Sequence, residues 1–120
     1  MYMPDSNAAK LAGDMLKEKM AEMDSVGGII ECVVAGMPTG VGEPVFDKLD
    51  ANLAKAIMSI GAVKGIEIGD GFAVATSTGS KDNDGFKVEN GHISKTSNHA
   101  GGILGGISDG SPIVLRAAIK

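Results

Sequence analysis

The sequence predicts an α+β fold, a mostly antiparallel sheet with two helices packed on one face. Three observations carry this expectation. Two stretches, residues 6–23 and 45–60, repeat apolar residues at three- and four-residue steps. Shorter stretches at 29–35, 63–68, 72–76 and 113–119 are continuously apolar or alternate, with glycine between them. The resulting order is helix, strand, helix and then a run of strands.

Pro4-Asp5-Ser6 is a helix start, with Asp5 or Ser6 available to cap. Ala8, Leu11, Ala12, Met15, Leu16, Met20 and Met23 then share one face, with Lys10, Lys17, Glu18 and Glu22 elsewhere. Methionine at that spacing reads as core. Asp24-Ser25-Val26-Gly27-Gly28 ends the helix. Ile29–Ala35 reads as a buried strand whose only charge, Glu31, faces the surface at an edge. Cys32 within it has no partner for a disulfide or a metal site and reads as a small core residue.

Gly36–Pro44 holds too many breakers for helix or strand. Val45–Ile60 is the second helix, with Phe46, Leu49, Leu53, Ala56, Ile57 and Ile60 on its apolar face and Gly61 at a left-handed C-cap. Asp47 and Asp50 lie near its N-terminal end, where the helix dipole favours negative charge. Val63–Ile68 and Phe72–Thr76 read as strands broken at Gly69-Asp70-Gly71. Thr78–Gly85 is a polar loop. Its Asp82, Asn83 and Asp84 lack the spacing and closing glutamate of a calcium-binding EF-hand. Asn90-Gly91 joins two short strands as a hairpin. Ile113–Ile119 alternates as a half-buried strand, with Arg116 and Lys120 on its second face. The near-continuous apolar run at Ile29–Ala35 implies that the sheet's other face is covered too, by a partner chain or a further part of the protein.

The 120 residues form one domain, residues 1–120, with 43% hydrophobic and 22% charged residues, as in a globular chain. A net charge of −4 and scattered lysines argue against a nucleic-acid partner. No stretch reaches the roughly 18 apolar residues of a membrane span. Met1-Tyr2-Met3-Pro4-Asp5 lacks the basic and apolar regions of a signal peptide, so a cytoplasmic location is expected.

Chemistry concentrates in residues 97–110, Ser-Asn-His-Ala-Gly-Gly-Ile-Leu-Gly-Gly-Ile-Ser-Asp-Gly. Glycine at this density serves a tight connection, a close backbone approach or an anion-binding concavity of N–H groups. Phosphate-binding, dinucleotide, nucleophile-elbow and zinc motifs are absent. His92 reads as a surface residue of the hairpin, and His99 lies beside the glycine run. The residues by themselves support a backbone-lined anion site with a nearby cation, Lys120 or Arg116.

Residues 97–108 resemble the signature of the chorismate synthase family. Three further stretches resemble it in the same order: Asp24–Gly28, Pro38–Ala51 and Val63–Phe72. The resemblance covers nearly the whole chain. It implies an internal, central portion of a longer enzyme, within an α/β sandwich that assembles as a homo-oligomer, a tetramer in the family. It implies a lyase that eliminates phosphate from the small-molecule substrate 5-enolpyruvylshikimate 3-phosphate to give chorismate, in aromatic amino acid biosynthesis, with reduced FMN as cofactor.

Carried over residue by residue, the family's flavin contacts fall on Gly61 and Ala62 after the second helix, on Gly105 in the glycine loop and on Lys120. Asn98 and Lys64 lie in matched motifs and rank next. Gly61 departs from the larger residue often found there. No catalytic residue and no metal ligand is carried over. The family's two catalytic histidines and main substrate-binding arginines belong to an N-terminal part, and further flavin contacts to a segment after Lys120. The resemblance therefore implies that these 120 residues alone do not turn over. The alternative is a structural or self-associating module that keeps only a partial FMN or phosphate site.

Overall fold

A computed structural model describes residues 3–120; Met1 and Tyr2, which open the stretch read above for signal-peptide features, lie outside the described residues. Helix α1 spans Ser6–Ala21 and β1 spans Gly28–Val34. Helix α2 spans Leu49–Met58 and leads into β2, Val63–Ile68. A 3₁₀ turn at Gly71–Thr76 and a short helix α3 at Gly79–Asp82 follow. The hairpin β3–β4 comprises Phe86–Glu89 and His92–Lys95. A two-residue pair, β5 at Ile103–Leu104 and β6 at Ile107–Ser108, precedes β7, Ile113–Ile119.

The expected α+β class with an antiparallel sheet is found. β7, the last strand made, lies between β1 and β2 and is antiparallel to both. Its alternation decides the core. Ile113, Leu115 and Ala117 point to one face and are buried, with Val63 and Ile103 beside them. Arg116 points to the other face, opposite Glu31 of β1 and Glu67 of β2. There its guanidinium lies 3.1 Å from the Glu67 carboxylate. Glu31 is exposed, as its isolated charge predicts.

Helix α1 begins where expected, with Asp5 as its cap: Oδ1 accepts from the Asn7 and Ala8 amides at 2.7 and 2.9 Å. The Asn90-Gly91 hairpin also forms, both residues taking the positive φ that a tight hairpin turn needs.

Several expectations are corrected. The stretch Phe72–Thr76 is a 3₁₀ turn and not a strand. Gly69 lies so close to the His99–Gly101 backbone that a Cβ there would collide with it. The glycine loop thus occupies the path along which β2 would extend. Helix α2 starts at Leu49 and not Val45, because the Leu49 amide is given to the Gly106 carbonyl at 2.8 Å. The left-handed residue after α2 is Ala62, φ 70°, and not Gly61.

Burial also departs from the pattern. All of β1 is exposed, Cys32 included, and α1 buries none of its residues. Helix α2 runs along β2 and half-buries Leu49, Leu53 and Ile57, whereas Leu11, Met15 and Met20 of α1 stand in solvent. The physical reason is geometric. β1 is an edge strand, and no described segment lies over its faces or over the α1 stripe.

Candidate functional site

The glycine loop is built on a buried carboxylate. Asp84, just after α3, turns inward and accepts from the Ser97 hydroxyl at 2.7 Å and the His99 amide at 2.8 Å. It also accepts from the Ala100 amide at 3.0 Å and the Lys95 ammonium at 3.1 Å. Burial raises the Asp84 pKa. The Ala100 amide, Ser97 hydroxyl, His99 amide and Lys95 ammonium outweigh it and hold the carboxyl well below the usual range.

Lys95, at the end of β4, reaches a second carboxylate, Asp109, at 2.6 Å. Only 4% of the Lys95 side chain is exposed. Burial lowers its pKa, but the Asp109 and Asp84 carboxylates win and raise it. Burial likewise raises Asp109, while the Lys95 ammonium and the Ser111 amide, 2.8 Å away, bring it below the usual carboxylate range.

Asn98 ties the same loop a second way. Its Oδ1 accepts from Gly102 N at 2.8 Å and its Nδ2 donates to the Pro112 carbonyl at 2.9 Å. Farther round, buried Ser108 donates to the Pro38 carbonyl at 2.6 Å and accepts from the Val41 amide at 2.9 Å. This joins the loop to Gly36–Pro44, which composition alone marks only as a turn. At the tip, Gly105 has φ +61°, and a Cβ there would meet nothing within 4 Å. Its neighbour Gly106 is covered by the aliphatic stem of Lys48.

The other positions form a second cluster. Gly61 and Ala62 lie exposed in the turn before β2, and Lys120 donates its backbone amide to the Ala62 carbonyl at 3.0 Å. The Lys120 ammonium donates to the Ser25 carbonyl at 2.9 Å and the Ser25 hydroxyl at 3.2 Å. Lys64 is exposed beside the β2 bulge.

Gly61, Ala62 and Lys120 are thus brought together. Gly105 stands at the opposite end of α2, about 15 Å away along a ten-residue helix. Neither expected cation lies at the glycine loop's tip. Lys120 is at the far end of β7, and Arg116 donates to the Gly69 carbonyl at 3.1 Å. The loop's cations are Lys95 and Lys48, which the sequence reading did not select. No local pattern marks Lys95, whose carboxylates lie 11 and 14 residues away in the chain.

His92 is exposed on the hairpin, as expected. His99 Nδ1 lies 2.7 Å from Asp70 Oδ2, a partner that sequence distance conceals. That hydrogen bond raises the His99 pKa, against a smaller opposing effect of burial and helped by the charges of Asp70, Asp84 and Asp82. Asp70, Asp82 and His99 place ligand atoms within 4.8 Å of one another. Asp70 and His99 are already committed to each other there.

The family profile for chorismate synthase matches residues 1–120, the entire chain. The chain belongs to the chorismate synthase family. It is 59% identical to the chorismate synthase of Agathobacter rectalis over 120 residues, covering all of this chain and 33% of that protein. It is 62% identical to that of Lachnoclostridium phytofermentans over 121 residues, again 33% of the relative. The chain therefore spans about a third of the length of the curated chorismate synthases it matches. A solved structure described as "Crystal Structure of Chorismate Synthase" superposes with a TM-score of 0.93 at 35% identity, over 98% of this chain and 36% of that one. The chorismate synthases are lyases of aromatic amino acid biosynthesis. No helix among the described residues is long and apolar enough to cross a membrane.

Proposed function

We propose that this chain contributes part of the cofactor pocket of a chorismate synthase, which eliminates phosphate from 5-enolpyruvylshikimate 3-phosphate to give chorismate. The observation that carries the reading is Gly105: a left-handed glycine at a fixed hairpin tip, with open space where a side chain would stand. Such a position lets a ligand approach backbone closely. Gly61 also has open space where a side chain would stand, and the Lys120 backbone amide reaches the neighbouring Ala62 carbonyl while its ammonium lies at Ser25.

These residues fit reduced FMN. Gly105, Gly61 and Ala62 would hold it through backbone, and Lys120 through its ammonium. Bound reduced flavin supplies the electron density that assists departure of the phosphate. The chain's own residues bind and orient. Among the described residues neither histidine is placed as a proton donor on this reading, since His92 faces solvent and His99 is held by Asp70. The 120 residues by themselves are inactive on this reading, and the acid–base groups come from the remaining two-thirds of the relatives' length. The exposed apolar residues of α1 and β1 suit burial against that remainder in a cytoplasmic homo-oligomer.

The same exposed apolar surface favours a second reading, a self-associating module without cofactor. Titration with FMN separates the two. Saturable binding that Gly105→Asp abolishes supports the pocket, and no binding at millimolar FMN supports the module.

A further inference from the structure

The hairpin that carries Gly105 is held at its base by a largely buried ion triad. Asp84 grips the chain entering the hairpin, through Ser97, His99 and Ala100. Asp109 sits where the chain leaves, its amide closing the base on the Gly102 carbonyl at 3.0 Å and its carboxylate accepting from Ser111. Lys95 stands between the two carboxylates, at 3.1 and 2.6 Å. The side chains of Asp84 and Asp109 are only 6% and 9% exposed.

A buried ion pair is weak evidence for net stability, because desolvation offsets the attraction. Its attested use is to fix one arrangement among several. Here glycine supplies the freedom that needs fixing: Gly101, Gly102, Gly105 and Gly106 all take positive φ, and the segment has few side chains with which to pack. The cations that sequence suggests for an anion site, Lys120 and Arg116, are elsewhere. The Lys95 side chain is almost wholly buried and its ammonium is already taken up by the two carboxylates.

We propose that Lys95 is a positioning residue: by joining Asp84 to Asp109 it sets the stance of the 103–108 hairpin, and with it the flavin-facing backbone at Gly105. This rests on the FMN reading above. Lys95→Met removes the link and leaves two buried carboxylates facing each other. Asp109→Asn is the gentler variant, keeping the shape and the Ser111 contact, and serves if the methionine chain does not fold.

The test follows amide hydrogen exchange and FMN affinity together in the wild-type chain and the folded variant. In the variant, the amides of Gly101, Gly102 and Ile103 exchange about tenfold faster or more, those of Leu115 and Ala117 in β7 do not change, and FMN binds roughly tenfold more weakly. Wild-type exchange at Gly101–Ile103 in a folded variant overturns the proposal. So does faster exchange with undiminished FMN affinity. If the wild-type chain itself binds no FMN, the cofactor reading fails separately, and the exchange data alone decide whether Lys95 fixes the hairpin.

Discussion

The Lys95 ammonium lies 2.6 Å from the Asp109 carboxylate, and together with Asp84 they form a largely buried three-charge cluster. The cluster joins the end of β4 to both ends of the glycine loop. A segment with little apolar content of its own is thereby attached to the β3–β4 hairpin. The energetic consequence is asymmetric: the intact cluster adds modest net stability, and its disruption leaves a charge with no compensation.

Lys95→Met is therefore expected to lower unfolding stability by about 3–5 kcal/mol. Lys87→Met, at a more exposed ion pair with Glu89, is expected to cost less than about 1 kcal/mol. Urea unfolding of the two variants beside the wild-type chain measures the contrast.

Acid sensitivity follows from the same cluster. Asp84 and Asp109 have folded pKa values below the ordinary carboxylate value. Between the folded and unfolded values the unfolded chain binds more protons, so stability rises with pH there. The contribution is complete above the unfolded value of about 4 and is lost as pH falls through the folded values. Urea midpoints at pH 7, 4 and 2 are expected to fall steeply in the wild-type chain between the last two, and less steeply in Asp84→Asn.

His99 acts in the opposite direction. Its pKa is raised by the Asp70 hydrogen bond, so its contribution is complete below the unfolded value of about 6.5 and is lost as pH rises through the higher folded value. Proton NMR titration is expected to give His99 a midpoint above the ordinary histidine value, and Asp70→Asn to bring it down.

Ser108 is only 2% exposed and its hydroxyl makes two hydrogen bonds to the 38–41 segment. Ser108→Ala strands the Val41 amide and the Pro38 carbonyl and is expected to cost about 1–3 kcal/mol. Thermal unfolding, with proteolysis mapped at 36–44, checks both the size and the place of the effect.

How far the sequence speaks depends on whether a feature is local. The α1 start is legible because Asp5 caps amides two and three residues on. The hairpin is legible because Asn90-Gly91 tolerates the backbone it needs. Strand β7 is legible because its alternation matches its burial. What failed depends on distant segments. Phe72–Thr76 has the composition of a strand, but the glycine loop blocks the sheet at Gly69. Ile29–Val34 and Cys32 have core composition, but no described segment covers them. In the candidate site, resemblance supplied Gly61, Ala62, Gly105 and Lys120. The clamp of Asp84, Lys95 and Asp109 was missed because a polar loop, a strand end and a glycine run share no sequence pattern.

The central claim is that Gly105 is a working cofactor contact, and an FMN titration of the 120-residue chain beside Gly105→Asp tests it most directly. The account predicts saturable binding to the wild-type chain, with flavin fluorescence changing on binding, and loss of that binding in a variant that unfolds at the wild-type temperature. Equal affinity in the two chains would contradict it.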